Sequence, residues 1–161
     1  MKEHQYRTTL RWTGNTGQGT ASYGSYSRNH EFSGNGKAQA LPGSSDAHFR
    51  GDASRYNPEE LLVAALSSCH LLSYLHLCAV NGVVVTAYED DASGTMIEDP
   101  DGGGHLTGVV LRPRVSISPE SDKEKALHLH HEAGNLCFIA RSVNFPVSHM
   151  PTVSLALATK V

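Results

Sequence analysis

The stretch Asn57-Pro58-Glu59-Glu60-Leu61-Leu62-Val63-Ala64-Ala65-Leu66-Ser67-Ser68-Cys69, continued by residues 70–80 and closed by Asn81-Gly82, decides the fold. Asn57 is a good N-cap, Pro58 suits the first helical position, and Glu59 and Glu60 oppose the positive end of the helix dipole. Gly82 then tolerates the left-handed conformation that ends helices. The spacing predicts one helix over 57–80. Its apolar residues cover nearly the whole circumference, which predicts burial on all sides. Length alone would also suit a membrane span. Ser67, Ser68, His70, Ser73 and His76 interrupt it, however. It reads as a central core helix.

The segments on either side read as strands. Tyr6, Thr8, Leu10 and Trp12 alternate onto one face, and a turn follows at 14–17. A second strand is predicted over 20–32, and Asn35-Gly36 suits a hairpin into a third over 37–41. Residues 42–56 form a polar loop, long enough to suggest a functional segment. After the helix, two long strands over 83–98 and 105–118 flank the turn Asp99-Pro100-Asp101-Gly102-Gly103-Gly104. A second helix is predicted from Ser118-Pro119 or from Ser121, which has capping-box spacing to Glu124, and Gly134 is expected to end it. Asn135 would cap a short helical piece carrying Cys137, before Pro146 breaks the pattern. Residues 152–160 alternate as a last strand. The order is β-β-β-α-β-β-α-β, an α+β fold on antiparallel hairpins, read as a single domain over 1–161.

The 161 residues carry 13 Lys+Arg against 16 Asp+Glu, so no basic footprint for nucleic acid is present. The opening Met1-Lys2-Glu3-His4-Gln5-Tyr6-Arg7 has no apolar stretch behind its charges, unlike a signal peptide. With no signal peptide and 3 cysteines, the expectation is a reducing cytoplasm rather than a disulfide scaffold.

Those cysteines differ in setting. Cys69 sits mid-helix, where a small core hydrophobe is the ordinary reading. A reactive thiolate there needs a cation from another element, and Arg28, Arg50 and Arg55 are the candidates. Cys78 is nine residues further, on the opposite face and about 13–14 Å along the axis, too far for a disulfide. It reads as structural. Cys137 is either activated in the first turn of a short helix or simply buried beside Phe138 and Ile139. The histidine cluster His128-Leu129-His130-His131-Glu132 offers metal-ligand types, but neither H-E-x-x-H nor a Cys pair at zinc spacing occurs. A phosphate loop and the G-x-S-x-G elbow are likewise absent.

The 57–69 segment resembles the signature helix of the OsmC/Ohr superfamily, the osmotically induced and organic hydroperoxide resistance proteins. In that family N-P-E-x-L precedes a reactive cysteine ten residues after the Glu, the spacing of Glu59 to Cys69. A second family cysteine follows some sixty-odd residues later, and Cys137 lies 68 beyond Cys69. The resemblance covers essentially the whole chain. It implies an intertwined homodimer with sheets around central helices, and thiol-dependent reduction of organic hydroperoxides without a cofactor. Cys69 would be the peroxidatic residue and Cys137 the resolving one. An external dithiol, such as a lipoylated protein, would be the reductant. Glu59 and an arginine, Arg50 or Arg28, would complete the site. Ten helical residues separate Glu59 from Cys69 by about 15 Å. Glu59 would therefore come from the partner subunit.

Two positions depart from the family pattern. Phe138-Ile139-Ala140 follows Cys137 where members carry Pro and a Ser-containing turn, and His48 occupies a family Arg position before Phe49. The alternatives are a binding module of the same fold without turnover, or a metal-binding protein using His128, His130 and His131.

Overall fold

The helix forms where the sequence places it. In the computed structural model, which describes residues 1–157, α1 runs Pro58–Val80. Its start is a reciprocal cap: Glu60 N–H donates to Asn57 Oδ1 at 2.8 Å, and Asn57 N–H donates to Glu60 Oε2 at 3.0 Å. Gly82, with φ 73°, turns the chain out of the helix. The chain falls into two compact units, Met1–Leu61 and Leu62–Val161, each described by itself.

The first unit is an antiparallel meander of β1 (Thr9–Trp12), β2 (His30–Ser33) and β3 (Leu41–Gly43). The second strand is much shorter than the 20–32 prediction. The tyrosine- and serine-rich stretch folds as a loop because its own polar groups hold the backbone. Trp12 Nε1 donates to Ser27 O at 2.8 Å, and Ser25 Oγ bonds to both Gly19 O and Ser22 O. Asn35-Gly36 makes the predicted turn, with Gly36 at φ 75°. The third strand begins four residues later than predicted and contains Pro42, which an edge strand tolerates. Within the polar loop, Ala47–Phe49 forms a 3-10 turn capped by Asp46.

In the second unit β4 (Val85–Asp90) pairs antiparallel with β7 (Pro113–Ile117), and β5 (Ser93–Glu98) with β6 (Gly104–Leu111). β8 (Val147–His149) then adds parallel to β6, and β9 (Thr152–Leu155) parallel to β7. The two long predicted strands are thus four. They break because the Asp90 carboxylate accepts Arg112 N–H at 2.6 Å, a backbone donor that a continuous ladder would use, and Pro113 supplies no N–H of its own. The strand predicted over 152–160 is β9 as far as Leu155, and residues 158–160 lie outside the described residues. β8 was not predicted, since Pro146 directly precedes it.

The second helix, α2, spans Lys123–Leu136 and is capped by Asp122, which accepts Lys125 N–H at 3.0 Å. Ser121 does not cap it, because its hydroxyl accepts Val84 N–H at 2.9 Å instead. Gly134 does not end it either. A Cβ at Gly134 would stand 2.7 Å from His149 Cε1, so the helix continues through a residue whose missing side chain makes room for that ring. Glycine inside a helix costs about 1 kcal/mol relative to alanine.

One apolar core packs Tyr74, Leu77, Cys78, Val115, Ile117, Leu129 and Val153. A second gathers around Leu66, Val109 and Leu111. On α1 the buried residues are Leu66, His70, Tyr74, Leu77 and Cys78, one stripe at helical spacing. Leu72 and Val80 are each 64% exposed, so burial on all sides is not achieved within one chain.

Candidate functional site

Cys69 and Cys137 come together in the second unit. Cys69 is half-buried on α1, and Cys137 is buried at the C-terminal cap of α2. The two thiols are near enough for Cys69 to act on Cys137. Burial first, and then the Cys69 thiol, push the Cys137 thiol up to about 11, while the backbone N–H of Ala140 and Ile139 act in the opposite direction. Ala140 N–H donates to Cys137 Sγ at 3.4 Å. The residue therefore stands one turn before the 3-10 turn Ala140–Ser142, not inside a helix capped by Asn135. The first-turn activation open at the sequence level is absent, and burial keeps the thiol protonated.

Cys78 belongs to the main core, where burial pushes its thiol up, so the structural reading holds.

The remaining candidates lie in the first unit. Glu59 is half-buried one position into α1, ten residues from Cys69 on the same unbroken helix. Arg28 is fixed on all sides: Nη1 and Nη2 donate to Tyr26 O and Tyr23 O, both at 2.7 Å, and its guanidinium lies 4.2 Å and 4.3 Å from the Tyr26 and Tyr23 ring centres. Arg50 also lies over Tyr23, at 5.1 Å, and has φ 61°, the one non-glycine residue with positive φ among those described. Arg55 pairs with Asp52 at 3.5 Å, which leaves Arg28 and Arg50, of the three candidate arginines, without a carboxylate partner among the described residues. His48 is exposed and bonds to Asp46 at 2.7 Å.

The three histidines weighed as metal ligands separate. His128 pairs with Glu132 at 3.3 Å, His131 is exposed, and His130 is buried. Among the described residues no group of three His, Cys, Asp or Glu side chains is arranged to hold a metal.

A buried aromatic stack went unforeseen. Tyr74 lies against His130 with ring centres 3.8 Å apart, and His70 lies against His149 at 4.3 Å. His70 Nε2 and His130 Nδ1 share one hydrogen bond of 3.0 Å. Burial, followed by repulsion from neighbouring histidines, lowers His70 to about 3 and His130 to about 4. The rings are neutral at any ordinary pH. The one signal in the sequence is the placement of His70 and Tyr74 four residues apart on the buried stripe. Beside this stack, Ser67 of α1 donates to Asp90 at 2.5 Å, tying the helix to β4 two residues before Cys69.

A family model described as OsmC-like protein matches residues 51–150. Among solved structures, the chain is similar to an OsmC-like protein of unknown function from Vibrio cholerae, at 32% identity and TM-score 0.82, covering 94% of this chain and 100% of that one. An organic hydroperoxide resistance protein from Legionella pneumophila shares the fold at 18% identity and TM-score 0.65, with 94% and 99% covered. So does the organic hydroperoxide resistance protein OhrB of Bacillus subtilis, at 17% identity and TM-score 0.62, with 94% and 98% covered. No curated protein matches.

Proposed function

Because the chain belongs to the OsmC-like protein family, we propose that it is a thiol-dependent peroxidase for organic hydroperoxides. The observation that carries this reading is the half-buried Cys69 sulfur held within reach of the buried Cys137 thiol. The Cys69 thiolate attacks the outer peroxide oxygen. The O–O bond breaks, the sulfur is oxidised to a sulfenic acid, and the alkoxide takes a proton and leaves as the alcohol. Cys137 then attacks the sulfenic sulfur, forming a disulfide and releasing water, which removes Cys69 from the path to irreversible oxidation. A dithiol reductant, such as a lipoylated protein, exchanges with that disulfide and restores both thiols.

In this reading Glu59 and an arginine, Arg28 or Arg50, act from a second copy of the chain, since α1 itself separates Glu59 from Cys69 by about 15 Å. The open apolar side of α1, with Leu72, Leu75 and Val80 exposed, supports a homodimer that covers it. The protein would act as one domain in the reducing cytoplasm, in defence against oxidative stress. The purified protein is expected to consume cumene hydroperoxide repeatedly with dithiothreitol present, as followed by residual peroxide. Absence of turnover would overturn the reading.

The protonated state of Cys137 favours a second reading, the same fold binding a small molecule without turnover. Burial holds that thiol above its usual range, so it carries little of the thiolate that would attack a sulfenic acid.

A further inference from the structure

The last turn of α2 borders a cleft that the thiol pair does not occupy. It has a volume of about 440 Å3 and is lined by His131, Gly134, Asn135, Ala140, Arg141 and His149, among others. Its floor is built. The His149 ring is packed between His70 and the bare face of Gly134, where any side chain would collide with it. Its walls carry unspent donors: among the described residues the Arg141 guanidinium, the Asn135 amide and the His131 ring have neither a hydrogen-bond nor an ion-pair partner.

The charge in the cleft has one sign. Among the described residues no Asp or Glu lines it. Glu132, next to His131, pairs with His128 at 3.3 Å. Asp90 acts on His149, but its oxygens accept Ser67 Oγ and Arg112 N–H. A guanidinium without a carboxylate partner, beside an amide and an imidazole, matches the planar oxygens of a carboxylate or phosphate.

We propose that this cleft binds the oxyanion group of a small molecule, a carboxylate or a phosphate, with Arg141 as the pairing cation and Asn135 and His131 as further donors. The site stands independently of the peroxidase reading. It is nevertheless close to the redox pair, because Ala140 both lines the cleft and donates its N–H to Cys137 Sγ.

The test is an NMR titration of the side-chain resonances of Asn135 and Arg141 in the full-length protein with sodium hexanoate and, separately, sodium phosphate. Sodium chloride at matched ionic strength is the control. Saturable shifts with at least one oxyanion and none with chloride are expected, with binding at least about tenfold weaker in Arg141→Ala. A response to hexanoate alone identifies a carboxylate ligand, and a response to phosphate alone a phosphate ester. Arg141 is exposed, so the variant keeps its fold. No saturable response to either anion, an equal response to chloride, or unchanged binding in Arg141→Ala would overturn the proposal.

Discussion

Cys69→Ser is expected to lose at least about 10³ of the wild-type rate in cumene hydroperoxide consumption, because it removes the only atom that attacks the peroxide in the proposed mechanism. The substitution replaces one sulfur by oxygen at a half-buried position, so the unfolding free energy from urea titration should stay within about 0.5 kcal/mol of wild type. That separates lost chemistry from lost fold. Cys137→Ser should behave differently. It retains the first attack, consumes about one equivalent of peroxide per chain to form the sulfenic acid and about one more for each further step of Cys69 up the oxidation ladder, and then stalls. Unchanged turnover in Cys69→Ser would remove this cysteine from the reaction altogether.

Stability should fall steeply between pH 7.5 and pH 5. His70 and His130 are fully buried and hold values of about 3 and about 4 in the folded chain, against an ordinary 6.5. Folded values below unfolded ones mean that the unfolded chain binds more protons, so stability rises with pH in this window. The stabilisation is complete above about pH 6.5 and is lost progressively as pH falls towards 3–4. Linkage puts the loss at about 2 kcal/mol per histidine between pH 7.5 and pH 5, hence about 4 kcal/mol for the pair. Burial lowers His149 as well and adds in the same direction. Urea unfolding at the two pH values measures this directly. His130→Phe should flatten the slope by between a third and a half, and an equally steep slope in that variant would place the titration elsewhere.

The features legible in the sequence were those set by local chemistry. Asn57, Pro58 and the two glutamates mark the start of α1 because each acts within one turn, and Asn35-Gly36 marks its hairpin for the same reason. Asn57 and Glu60 also had capping-box spacing, and that reciprocity was there to be read. Features set by distant partners were not legible. The break between β6 and β7 depends on Asp90 capturing a backbone donor 22 residues away, which no local pattern reports. Gly134 read as a helix stop because its other role, leaving space for His149, is visible only once β8 lies against α2. The thiol pair came from motif spacing. The environment of Cys137 did not, since a C-cap and a first-turn position differ by a few residues of helix length. The cations remained paired alternatives because Arg28 and Arg50 share one tyrosine, Tyr23.

The proposed chemistry rests on one covalent event, the joining of Cys69 to Cys137. Mass spectrometry of the protein digested without reduction, after one equivalent of cumene hydroperoxide, tests it most directly. The expected product is a disulfide between the peptides carrying Cys69 and Cys137, with Cys78 free. Cys69 appearing as sulfinic or sulfonic acid with Cys137 still a thiol, or no oxidation of Cys69 at all, would contradict it.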